Sequence, residues 1–157
     1  TVLYRRYLTP VYRYIFHRLG NVQDTEDLAA QVFTAALEGI TTGRYRESGS
    51  FAGWLFTIAR RRLVDHFRRH PEAELDDLPA PDPGILSEVE MDEDFNRLAA
   101  LFARLDETQQ DLLRLRFSAG LSFAQIGQVE GRSEAAVKMA IYRAVEMIRN
   151  QWQVQDA

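Results

Sequence analysis

Residues 71–94, PEAELDDLPAPDPGILSEVEMDED, constrain the chain more than any other stretch. Four of the five prolines fall there, and between 71 and 96 there are ten acids without one lysine or arginine. Proline keeps a backbone extended and like charges oppose collapse, so the stretch reads as a linker. Its boundary lies near Pro71, with structure resuming after Ser87. A chain of 157 residues divided in this way leaves two small domains, 1–70 and 97–157, on either side of a linker over 71–96.

Both blocks carry helical spacing and neither carries a strand pattern, which makes the fold class all-α. Tyr4, Leu8, Val11, Ile15 and Leu19 recur at helical intervals, with Pro10 either kinking that helix or opening its second half, and Gly20 ending it. A second helix is expected from about Asp24 to Gly39. TTGRYRESGS then forms a loop of about ten residues, longer than packed helices usually need. Ser50 can cap a third helix, whose Phe56, Leu63 and Phe67 make one apolar line, with Trp54 beside Phe51 and Ile58. In the second block, Leu98, Leu101, Phe102 and Leu105 mark one helix. Asp106 caps the next, which runs up to Gly120, and Ser122 caps a short one ended by Gly131. Ser133 caps a long helix striped by Val137, Ile141, Ala144, Ile148 and Trp152.

Charge narrows the function. The net charge of -4 hides an uneven layout: eleven arginines against six acids leave residues 1–70 at +5, the linker stands at -10, and 97–157 are near neutral at +1. Five of those arginines sit in RRR and RR pairs along the third helix. Cysteine is absent, which removes disulfides, thiol catalysis and thiolate metal sites together. His17, His66 and His70 have no metal-ligand spacing, and there is neither a glycine-rich phosphate loop nor a Ser/His/Asp pattern. An enzyme is therefore disfavoured, and no cofactor or small-molecule substrate is expected. No apolar run reaches the roughly twenty residues of a membrane span, and no secretion signal opens the sequence. Cytoplasmic location without membrane insertion is the default.

The third helix shows two polar lines, Arg61–Asp65–Arg68 and Arg62–His66–Arg69. Such ridges suit a solvated face, or a phosphate backbone tracked by Arg61, Arg62, His66 and Arg69. The preceding loop, with Arg44, Tyr45 and Arg46, can close over an unstacked base, although Tyr45 fits plain loop packing equally well. Near the C-terminus, LSFAQIGQVEGRSEAAVKMAIYRA has the layout of a helix-turn-helix, with Gly127 where the helices touch and Gly131 in the turn. Glu130 and Arg132 flank that turn where apolar residues normally pack.

A basic aromatic helix, a Pro-rich acidic linker and a C-terminal helix-turn-helix together resemble the extracytoplasmic-function (ECF) class of bacterial sigma factors, in the sigma-70 family. DTEDLAAQVFTAAL is similar to the family's acidic clamp-binding helix, WLFTIARRRLVDHFRR to its -10 helix, and LSFAQIG with SEAAVK to its region 4 reader. The resemblance implies a promoter-specificity subunit with no catalytic chemistry of its own. Residues 1–70 would bind core RNA polymerase and open the -10 element, and 97–157 would bind the -35 element. It implies polymerase binding by Asp24, Glu26, Asp27 and Gln31, and -10 binding by Arg44, Tyr45, Arg46, Arg61, Arg62, Asp65, His66 and Arg69. The -35 set is Ser133, Glu134, Ala136, Lys138, Met139, Tyr142 and Arg143. Implied partners are core RNA polymerase, promoter DNA in duplex and single-stranded form, and an anti-sigma factor. The chain departs from the family's usual residues at Ala30 and Gln31, at Arg61, and at Ala136, Met139 and Ala140. The rival reading is a stand-alone helix-turn-helix regulator that binds duplex operators without polymerase.

Overall fold

The computed structural model describes residues 2–45, 49–72 and 93–156, and every regular element among them is helical. The first block contains α1 (Val2–Leu19), α2 (Val22–Thr41) and α3 (Phe51–Arg69). Helix α1 runs unbroken through Pro10. It ends at Gly20, whose φ of +75° is one that residues with a Cβ rarely adopt. Asn21 then caps α2 by accepting from the Asp24 amide at 2.8 Å, so α2 starts two residues before the Asp24 expected from sequence. Ser50 caps α3, accepting from the Gly53 amide at 3.3 Å. The expected line Phe56, Leu63, Phe67 is buried and meets Val11, Tyr14 and Ile15 of α1 and Leu28 and Val32 of α2 in one core.

The second block contains α4 (Glu93–Ala103), α5 (Glu107–Leu113), α6 (Phe123–Glu130) and α7 (Glu134–Asp156). Helix α4 begins inside the stretch read as linker, with Glu93 and Asp94 placed where the helix dipole favours acids. Most of the proposed linker lies outside the described residues. Asp106 and Gln109 form a capping box at α5, and Ser122 and Gln125 form another at α6. Between them, Arg114–Ser118 is a π-helical turn, closed by a 2.9 Å bond from the Ala119 amide to the Arg114 carbonyl. Sequence periodicity reads this region as one continuous helix. Arg97 ties α4 to the far end of α7, its guanidinium lying 3.8 Å from the Trp152 ring centroid and bonding Gln155 Oε1 at 2.7 Å.

The two blocks pack against one another. Helix α6 lies across α3, and the π-helical turn meets α1. Buried Leu112, Leu115 and Ile126 belong to the same apolar cluster as Phe56 and Tyr14.

Candidate nucleic-acid interface

Helix α3 buries its apolar line and therefore turns Arg61, Arg62, Asp65, Arg68 and Arg69 to solvent together. His66 behaves differently. It is half-buried between Phe67 and His70, 4.9 Å from the His70 ring centroid. Desolvation, followed by the nearby His70 charge, lowers its pKa below the ordinary 6.5. At neutral pH it is mostly an uncharged ring, suited to stacking rather than to holding phosphate.

Tyr45, after α2, is held by aromatic packing. Tyr45 donates its amide to the Gly39 carbonyl at 3.0 Å, and its ring centroid lies 4.9 Å from Trp54 and 5.6 Å from Phe51. Gly39 has to be glycine because a Cβ there would come within 2.6 Å of the Trp54 ring. Of the two roles open to Tyr45, packing is the one seen. Arg44 beside it is exposed, and Arg46 lies outside the described residues.

On α2, Glu26, Asp27, Ala30 and Gln31 are all exposed. Asp24 is partly committed to its own helix start, accepting from Asn21 Nδ2 at 2.9 Å, and its charge also acts on His66. Glu26 and Ala30 border an apolar groove of about 640 Å³ between α1 and α2, which Tyr4, Leu8, Tyr12, Val22 and Phe33 also line. The α1 side of this groove was missed in the sequence, because its aromatics sit at core-like intervals on a helix that looks uniformly amphipathic.

Helix α7 is capped by Ser133, whose hydroxyl accepts from the Ala136 amide at 3.1 Å. Glu134, Lys138, Met139, Tyr142 and Arg143 are exposed, and Ala136 is half-buried. Lys138 lies over the Tyr142 ring at 5.7 Å, which presents one cationic aromatic edge amid apolar neighbours. The turn before it is built as expected. Gly131 has φ +69°, and a Cβ on Gly127 would stand 2.5 Å from the Arg132 carbonyl oxygen.

Comparison with known proteins places this arrangement. The family model described as Sigma-70 region 2 matches residues 3–71, and Sigma-70, region 4 matches residues 95–148. ECF RNA polymerase sigma factor BldN of Streptomyces coelicolor is 38% identical over 152 residues, which are 93% of this chain and 57% of BldN. ECF RNA polymerase sigma factor ShbA of Streptomyces griseus is 34% identical over 134 residues, 79% of this chain and 69% of ShbA. The chain belongs to the ECF sigma factors of the sigma-70 family. Its fold is also that of the sigma factor RpoE of Bartonella quintana, solved in complex with the anti-sigma factor NepR. That likeness has a TM-score of 0.71 at 18% identity and covers 98% of this chain and 96% of RpoE. This sigma factor thus spans 57% of the length of BldN and most of ShbA.

Within the sigma factor, the contact between regions 2 and 4 includes a cluster of polar groups beside its apolar residues. Arg60, unassigned by sequence, turns from the exposed arginines of α3 toward region 4. Its Nε donates to Asp111 Oδ2 at 3.3 Å and lies 3.3 Å from Glu130 Oε1. The Tyr14 hydroxyl donates to the other Asp111 oxygen at 2.6 Å. Glu130 is the anomalous acid of the helix-turn-helix, and these partners explain it: α6 turns that position toward α3. Beside this cluster, Gln125 Nε2 donates to the Ser50 hydroxyl at 2.9 Å, and Gln128 Oε1 accepts from the Ser50 amide at 3.2 Å.

Proposed function

We propose that this sigma factor directs core RNA polymerase to promoters. In this reading the exposed face of α2 docks on the polymerase, α3 with its preceding loop opens and holds the -10 element, and α7 reads the -35 element. The observation that carries the reading is the split of α3 into a buried apolar line and a solvent-facing row of Arg61, Arg62 and Arg69. Opening a duplex needs such a row to hold an unstacked strand, and aromatic surface nearby for its bases. The α2 acids supply a surface for a basic polymerase helix, and the groove beside Glu26 offers apolar area to the same partner. Discrimination rests mainly on the -10 side. Good bidentate base contacts are worth roughly 1 to 3 kcal/mol each, and α7 offers few groups able to make them. The acidic stretch between the regions would lie extended in a basic polymerase channel. An anti-sigma factor, as found on RpoE of Bartonella quintana, would regulate it. Its compartment would be the cytoplasm, where core polymerase is. Among the described residues no helix is long and apolar enough to cross a membrane.

The test is transcription by core polymerase on templates mutated separately in each element, with permanganate footprinting of the opened strand. Arg61→Ala or Arg62→Ala is expected to abolish opening, whereas Lys138→Ala or Arg143→Ala weakens promoter binding and leaves opening intact once bound. The reading fails if -35 substitutions cost more activity than -10 substitutions and the arginine variants open DNA normally.

A further inference from the structure

The outermost line of α7 is apolar where a helix in water is normally polar. Val137, Ile141 and Ala144 face the core, so the opposite side of the helix carries Ala135, Met139 and Tyr142. All three are exposed, Met139 by 51% and Tyr142 by 52%. Lys138 stands on one flank of this line and Arg143 on the other, both in solvent. Neighbouring rings hold the arrangement. Tyr142 meets Phe123 of α6 edge to face, with 6.1 Å between ring centroids, Arg116 lies over Phe123 at 4.1 Å, and Lys138 lies over Tyr142 at 5.7 Å. The acids nearby are accounted for locally. Glu146 pairs with Arg149 at 3.1 Å, and Glu134 lies in the first turn, where the helix dipole favours a carboxylate.

Two cations bracketing an apolar line match a groove that has phosphates for walls and apolar groups on its floor. In the major groove every base pair shows hydrogen-bonding edges, and thymine alone adds a methyl group there. Ala135 and Met139 carry nothing that can pair with a base edge, yet both can bury a methyl. Met139 is also unbranched and polarisable, which lets it follow an uneven apolar surface. From Ala135 to Tyr142 the helix rises about 10 Å, which is about three base-pair steps. We propose that α7 reads its promoter element through thymine methyl groups, with Met139 as the main specificity-determining residue, Ala135 and Tyr142 beside it, and Lys138 and Arg143 on the flanking phosphates. This rests on the -35 role given to α7 above and adds the chemical class of base that the role reads. A·T pairs with a methyl under the line are favoured, and G·C pairs offer it nothing to bury.

The test begins with core polymerase carrying the full chain and a pool of duplexes of random sequence. The enriched duplexes are aligned on the segment that permanganate shows to be opened, which locates the element upstream of it. That element is then resynthesised with deoxyuridine in place of each thymidine in turn, removing one methyl and leaving the base pair intact. Each contacted methyl is expected to cost about fourfold in affinity, the loss of one buried methyl group. Met139→Ala should abolish that penalty, Met139→Leu should keep it, and Met139→Gln should shift the preference toward adenine without regard to the methyl. Lys138→Ala should weaken binding on every template and leave the penalty unchanged. A parent chain indifferent to deoxyuridine, or a penalty that persists in Met139→Ala, overturns methyl reading while the -35 role stands. If no upstream element is enriched and Lys138→Ala binds as the parent does, the -35 role fails and the proposal with it. Weaker assembly of Met139→Ala with core polymerase in the absence of DNA would assign the line to a protein contact and also overturn the proposal.

Discussion

Arg114 keeps a charged guanidinium inside region 4, with Nε and Nη1 unpartnered and Nη2 bonded to Gln110 Oε1 at 3.1 Å. Burial lowers its pKa to about 10. A buried donor without a partner costs about 1 to 3 kcal/mol, while the aliphatic stem and the cation–π contact with Phe102, at 5.3 Å, offset part of that. Arg114→Met keeps a long stem and removes the donors. It is expected to raise stability by about 1 kcal/mol in thermal denaturation; a lowered midpoint would mean that attraction to Asp111 outweighs desolvation. At this scale the sequence discloses what is local. Ser50, Asp106 and Ser122 were recognisable as caps because a cap bonds an amide three residues on. Arg60 was not recognisable, because it is one of five arginines on its helix and its partner Asp111 is 51 residues away. Glu130 lies between these cases. Its mismatch with the helix-turn-helix pattern was visible, and the cause of the mismatch was on the other half of the molecule.

Helix boundaries follow the same division. Each end fixed by a side chain or a glycine fell near its expected place, and α7 buries Val137, Ile141 and Ala144 of its expected stripe. The start of α4 at Glu93 escaped notice because acids that favour a helix N-terminus also look like linker. The π-helical turn escaped because one extra residue barely alters an apolar pattern. Helix α5 has only seven residues before that turn, too few to persist without its cap. Its capping box, with bonds of 2.8 Å and 3.1 Å between Asp106 and Gln109, is thus a main support. Asp106→Ala is expected to cost about 0.5 to 2 kcal/mol, read from urea unfolding, and Asp106→Asn or Asp106→Ser should recover most of it. Because α5 carries Asp111, the same loss should also loosen the junction with α3.

For the whole molecule, two blocks were legible from composition, but their packing was not, since it depends on a few long-range polar groups set in an apolar surround. Besides Arg60 and Tyr14, an ion pair joins Arg18 to Glu107. A cleft of about 570 Å³ remains between the halves, lined by Arg18, Arg60, Phe67 and Asp111. If the contact holds the halves by itself, a covalent tether is dispensable. An engineered protease site within residues 73–92 should, after cleavage, give two fragments that co-elute on size exclusion near pH 6 and separate near pH 9, because burial at the junction, followed by Asp111, pushes the Glu130 pKa up to about 8 and packing weakens as that proton is lost. Separation at both pH values would show that the tether supplies the association. Folding region 4 onto region 2 also bears on how the protein distributes itself in a cell. A genome offers about 10⁶ to 10⁹ nonspecific sites to any cationic surface. With Arg60 matched to Asp111 and the start of α3 under Gln128, the free chain withholds part of its surface from that competition.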